Sequence, residues 1–140
     1  MKTLVIEDSR STLKLLCTHI EKMRFTPIPA ETGAVGIDLF LKERPDLVLL
    51  DIILPDLDGF EVARQIRQME SPGDWTPIIF LSSLNKDKDI EEGIAAGGDE
   101  IERGIDREAD LARALHRRLE RRRAQLAVAR DVLDHDDGVI

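Results

Sequence analysis

Three carboxylates close two short apolar runs, and their placement gives them a chemical use. Thr3-Leu4-Val5-Ile6 ends on Glu7-Asp8, and Leu47-Val48-Leu49-Leu50 ends on Asp51. Apolar runs this short, without helical spacing, read as strands buried on both faces and therefore as central members of a parallel sheet. Open parallel sheets carry their working residues in the crevice at the carboxyl ends of the strands. If the two strands are neighbours, the three acids converge, and their mutual repulsion calls for a cation. A set of oxygen ligands that leaves room for water suits Mg²⁺. A metal beside a carboxylate at a strand tip points to phosphoryl chemistry.

The rest of the chain alternates strand and helix in a way that would position those acids. Strands are expected at Thr3–Glu7, Thr26–Pro29, Leu47–Asp51 and Pro77–Ser82, with a weaker one at Asp99–Ile101. Leu13, Leu16, Cys17, Ile20 and Met23 share one helical face after Ser9, a natural N-cap. A second helix runs from a Thr32 cap to Arg44, where Pro45 ends it. A third follows Asp58-Gly59 with Val62, Ala63, Ile66 and Met69 inward, and a weakly apolar fourth spans Lys86 to Ala96. Five strand–helix units with short connections imply an α/β fold, a doubly wound sandwich around a parallel sheet with right-handed crossovers.

Bulk properties narrow the setting. The 140 residues can bury one core, and no apolar run reaches membrane-spanning length. A single Cys, Cys17, permits no internal disulfide and fits a reducing cytoplasm. It reads as a small core residue on the first helix, whereas His19, His116 and His135 lack ligand spacing and read as surface residues. The net charge of −8 disfavours nucleic acid as a partner of the whole chain. That charge is uneven: residues 103–131 hold nine Arg against five acids, leaving the body strongly acidic.

With these residues in place, the chain resembles the receiver domain of a two-component response regulator. The likeness covers roughly Lys2 to Leu119. It rests on Glu7-Asp8, on Asp51-Ile52-Ile53-Leu54-Pro55-Asp56-Leu57-Asp58-Gly59, on Ile78-Ile79-Phe80-Leu81-Ser82-Ser83, and on Ala96-Gly97-Gly98-Asp99-Glu100. The resemblance implies a flavodoxin-like sandwich with a five-stranded parallel sheet in the order 2-1-3-4-5. It implies that Asp51 accepts a phosphoryl group from a sensor histidine kinase or phosphotransfer protein, so that the chain is a switch rather than an enzyme. It implies Mg²⁺ held by Glu7, Asp8, Asp51 and the backbone carbonyl of Ile53, with the Ser82 hydroxyl donating to the phosphoryl group. Pro55 and Gly59 would shape the loop around the acceptor.

The chain departs from the family pattern at three positions. Glu7 stands where Asp is more usual. Ile101 lies at or beside the site of the usual switch aromatic. The Lys-Pro pair expected after the fifth strand is replaced in Ile101-Glu102-Arg103-Gly104-Ile105-Asp106. Aligned backward from Asp106, Arg103 takes the place of the pocket lysine; ungapped, Gly104 does. Arg keeps the charge but not the shape. The alternative function is therefore a degenerate receiver that binds partners without phosphorylation. Other readings fit less well. A Gly-Gly-Asp-Glu cyclase needs a larger domain, a dehalogenase-like phosphatase wants an acid where Ile53 stands, and a dinucleotide fold needs a Gly-rich turn after the first strand.

Residues 1–119 are expected to form the receiver and 120–140 a helical extension, one that could lead to an output domain. Leu119, Leu126 and Leu133 recur at sevenfold spacing, interrupted by Arg122 and Arg123. Together with the fourth helix and a fifth expected to start near Asp106, they offer a homodimer surface. Removing residues from Arg121 onward should leave a folded receiver and weaken self-association; sedimentation of equal dimer in both forms would reduce the tail to a linker.

Overall fold

The computed structural model describes residues 1–81, 95–98, 100–102, 116–117, 120–121 and 124. Strands β1 (Lys2–Ile6), β2 (Thr26–Ala30), β3 (Leu47–Asp51) and β4 (Ile78–Leu81) alternate with helices α1 (Arg10–Lys22), α2 (Gly33–Glu43) and α3 (Gly59–Met69). A short β5 (Glu100–Glu102) pairs with β4, and the parallel sheet has the order β2-β1-β3-β4-β5.

Side chains alternate across this sheet, and both faces are covered. Leu4, Ile6, Val48, Leu50, Ile78 and Phe80 point to the side packed by Phe40 of α2 and by Phe60, Val62, Ala63 and Ile66 of α3. Val5, Leu47, Leu49, Ile79 and Leu81 point to the other side, under Leu13, Leu16 and Ile20 of α1. Continuous apolar strands therefore reflect two helical layers. The Phe60 and Phe80 rings meet edge to face at 5.2 Å and fix α3 on β4.

Most expected boundaries shift by one residue. β1 starts at Lys2 and stops at Ile6, which leaves Glu7 just past the strand, where its side chain is free of the pleat. Thr32 caps α2 through its hydroxyl, which accepts the Val35 N–H at 3.1 Å. Arg44 ends that helix in the left-handed region, at φ 46°. Ser9 occupies the N-cap of α1, but its side chain makes no cap bond; its Oγ lies 3.2 Å from Ser11 Oγ. The fourth helix, the boundary at residue 119 and most of the tail lie outside the described residues. Among the described residues, His116, Arg117, Glu120, Arg121 and Ala124 are helical. No helix there is long and apolar enough to cross a membrane.

The histidine reading needs a correction. His19 is half-buried rather than on the surface, with its ring edge-on to His116 at 5.6 Å. Its Nε2 is shielded and has no hydrogen-bond partner among the described residues. Burial, then the neighbouring His116 and Lys22, lowers its pKa from the ordinary value. Residues 19 and 116 are far apart in sequence, so no local pattern could have revealed the contact. Cys17 packs against the α1-side core, as expected.

α3 is set where it is by a glycine. Gly59 donates its N–H to Ile52 O at 2.8 Å, and a Cβ at this position would collide with the Asp51 carbonyl. Gly59→Ala should cost about 1–3 kcal/mol of stability through overpacking. It should also displace the segment that presents Asp51. Denaturant unfolding would measure the first effect and Mg²⁺ titration the second; a variant indistinguishable from wild type in both would contradict this packing.

Candidate functional site

Parallel pairing puts Ile6 opposite Leu50, so the residues that follow, Glu7 and Asp51, emerge side by side from adjacent strands. One carboxylate oxygen from each of Glu7, Asp8 and Asp51 lies within 4.8 Å of the others. The three differ in exposure: Glu7 is only 7% exposed, Asp51 is half-buried and Asp8 faces solvent.

Hydrogen bonds hold the buried members. Glu7 Oε1 accepts the Ser9 N–H at 3.1 Å, and the Glu7 N–H donates to Ala30 O at 3.0 Å. Ser9 thus helps the site through its backbone, the role its side chain does not take at the helix end. Asp51 Oδ1 accepts the Ile53 N–H at 3.3 Å. Asp58 caps α3 by accepting the Phe60 N–H at 2.6 Å, which closes the loop after Asp51.

Electrostatics follow from this crowding. Burial, with Asp51 as the next cause, pushes the Glu7 carboxyl up to about 8. Asp51 is also raised, chiefly by burial, although Glu7 and the Ile53 N–H act to lower it. Near neutral pH the pair therefore keeps one proton, on Glu7, shared with Asp51. Without a cation, the pocket pairs its charge with a proton.

The donor set fits a hard divalent ion. All three side chains offer carboxylate oxygen. Three carboxylate oxygens within 4.8 Å of one another are near enough to share one such ion. Exposed Asp8 leaves the outer side open for water, which Mg²⁺ retains.

The sequence matches the response regulator receiver domain over residues 3–102. The chain belongs to that family. Two curated relatives from Bacillus subtilis are similar to this receiver. The transcriptional regulatory protein YxdJ is 39% identical over 71% of the chain and 42% of its own length. The alkaline phosphatase synthesis transcriptional regulatory protein PhoP is 34% identical over 71% of the chain and 40% of its own length. The matched part thus spans about two fifths of these relatives. The BeF3-activated N-terminal receiver domain of Klebsiella pneumoniae RstA aligns with a TM-score of 0.71 and 27% identity, covering 83% of this chain and 96% of that one. The chemotaxis protein CheY4 of Vibrio cholerae, at 24% identity and a TM-score of 0.73, covers 83% and 96% and shares the fold.

Of the site residues expected from sequence, this receiver brings Glu7, Asp8 and Asp51 together and sets Ile53 beside them, with its side chain 62% exposed. Ser82 and Arg103 lie outside the described residues. One nearby residue was read only as part of a loop. Asp56 accepts the N–H groups of Gly33 and Ala34, at 2.9 Å each. Its place in an acid-rich stretch just beyond Asp51 was the available hint; its partners, 22 and 23 residues back, were not legible. Trp75, 58% exposed, precedes β4 and so lies toward the amino-terminal end of the parallel strands, the opposite end from the acids. Its fluorescence is a poor reporter of the pocket.

The raised Glu7 carboxyl gives a pH signature. Between pH about 4.5 and about 8 the folded protein holds a proton that the unfolded chain has released. In metal-free protein this group's contribution to stability therefore falls as pH rises through that window. Glu7→Gln removes the slope. The variant should match wild type near pH 4.5 and exceed it above pH 8, by on the order of 1–3 kcal/mol. Thermal unfolding in EDTA across this range tests it, and parallel curves would refute the buried-proton account.

Proposed function

We propose that this receiver is a phosphoacceptor in two-component signalling, taking a phosphoryl group from the phosphohistidine of a sensor kinase or phosphotransfer protein onto Asp51. The convergence of Glu7, Asp8 and Asp51 within 4.8 Å at the ends of β1 and β3 carries this reading. An Asp51 oxygen attacks phosphorus in line, the new P–O bond forms, and the P–N bond breaks. The histidine nitrogen leaves with the bonding pair and remains on the partner. The chain thus acts as the recipient and switch rather than as an enzyme with its own substrate.

Glu7, Asp8, Asp51 and the Ile53 carbonyl would hold Mg²⁺. When bound, the ion offsets negative charge on the phosphoryl oxygens, which is what a loose phosphoryl transition state needs. The protein's own groups do the rest. The Ile53 N–H steadies one Asp51 oxygen, and the Asp58 and Gly59 contacts fix the loop that presents it. Ser82 would donate its hydroxyl to a phosphoryl oxygen and Arg103 would stand in for the pocket lysine, as the family likeness suggests.

A cytoplasmic setting, a downstream output domain and pairing through the fourth and fifth helices belong to the same proposal. The names of the relatives support the output, since both curated relatives are transcriptional regulatory proteins. Two sequence features favour the rival, a phosphorylation-independent interaction module: Arg103-Gly104 stands in the place of the Lys-Pro pair, and Ile101 lies at or beside the site of the switch aromatic. Incubation with Mg²⁺ and a small phosphodonor, followed by intact mass, separates the two. A single phosphoryl adduct that disappears in Asp51→Asn is expected; an unmodified wild type would favour the rival module.

A further inference from the structure

The acid pocket has two halves. Glu7 and Asp8 ride on the end of β1, and Asp51 rides on the end of β3. Fully ionised, as a cation site requires, the three carboxylates would repel one another, so the loops that carry them need a restraint of their own. Strand pairing restrains the strands but stops at Ile6 and Leu50. Beyond that level Asp56 ties the loop after Asp51 to the start of α2. One of its oxygens accepts the Gly33 N–H and the other the Ala34 N–H, each at 2.9 Å. Gly33 and Ala34 are the first residues of α2, directly after β2. Ala30, the last residue of β2, accepts the Glu7 N–H. The path from Asp51 through its loop to Asp56, α2, Ala30 and Glu7 therefore connects the two halves of the pocket independently of the β1–β3 pairing.

This joint is close and directional. A Cβ on Gly33 would lie 2.9 Å from Val62 Cγ2 and 3.3 Å from Asp56 Oδ1, so loop and helix start meet with no side chain between them. An ionised carboxylate accepting two N–H groups at a helix start is held by charge-assisted bonds and by the helix dipole. Those bonds keep the Asp56 carboxyl below its ordinary range.

We propose that Asp56 is a positioning residue for the divalent cation: it ties the loop after Asp51 to the start of α2 and so keeps Asp51 and the Ile53 backbone within reach of Glu7 and Asp8. The inference rests on the receiver reading for the ion's identity, while its test reads the geometry separately.

The test compares wild type, Asp56→Ala and Asp56→Asn as full chains, by Mg²⁺ titration calorimetry and by phosphorylation with acetyl phosphate at varied Mg²⁺. Asp56→Ala should weaken Mg²⁺ binding about tenfold, the usual scale for a group that orients ligands. Its phosphorylation rate should fall at low Mg²⁺ and recover at saturating Mg²⁺, a split that general loss of fold would not produce. Asp56→Asn keeps one acceptor oxygen and should fall between the two, and it carries the test if the Ala variant fails to fold. Mg²⁺ affinity within twofold of wild type in either folded variant would overturn the positioning role. A wild type that binds no Mg²⁺ would overturn the receiver reading as well.

Discussion

The repulsion among three carboxylates, held where water cannot fully solvate them, is the constraint around which this structure is arranged. Glu7 is nearly buried and Asp51 half so, and each follows directly on the last paired residues of β1 and β3, Ile6 and Leu50. The interior makes that pairing rigid. Leu4, Val5, Ile6 and Leu47 to Leu50 are fully buried between two helical layers, so a slip in register would expose apolar side chains on both faces. Hydrophobic burial thus supports an electrostatic arrangement that is unfavourable on its own. Such strain persists only where the surroundings over-determine it, and that is also where function concentrates.

The same constraint explains the polar contacts around the pocket. The Ser9 and Ile53 N–H groups each donate to one of the crowded acids, and each offsets part of the charge without competing for a metal. Gly59 is required because α3 starts directly beneath the Asp51 carbonyl. Asp58 and Asp56 satisfy the exposed N–H groups at the starts of α3 and α2, so the acids flanking the site are not all available for cations. What distinguishes Asp51 from Asp56 and Asp58 is what each accepts. The outer two are engaged with helix starts. Asp51 keeps an oxygen within 4.8 Å of the other acids.

How far the sequence revealed this depends on the distance between interacting residues. The strands and their acids were legible because each is a local run with a local end: Val48 to Asp51 reads the same in isolation as in the sheet. Helix starts were legible where a side chain caps its own helix, as with Thr32 and Asp58. Ser9 had the right type in the right place, yet its side chain does not cap. Asp56 and His19 escaped for a different reason, since their partners come from elsewhere in the chain: Gly33 and Ala34 for one, His116 for the other. Periodicity and capping rules contain no term for such contacts.

The proton shared by Glu7 and Asp51 bears on signalling as well as on stability. A pocket that neutralises itself with a proton presents less charge to an approaching phosphoryl donor than one with three free carboxylates. It also offers a weaker nucleophile, because the lone pairs of Asp51 are engaged with the Glu7 proton. On the proposed phosphoacceptor role, a divalent ion held by Glu7, Asp8 and Asp51 would take the place of that proton and would supply the positive charge that attack by one anion on another requires. The longer reach of Glu7, one methylene beyond the more usual Asp, suits it to this exchange. Its carboxyl contacts Asp51 while its Oε1 still accepts from Ser9.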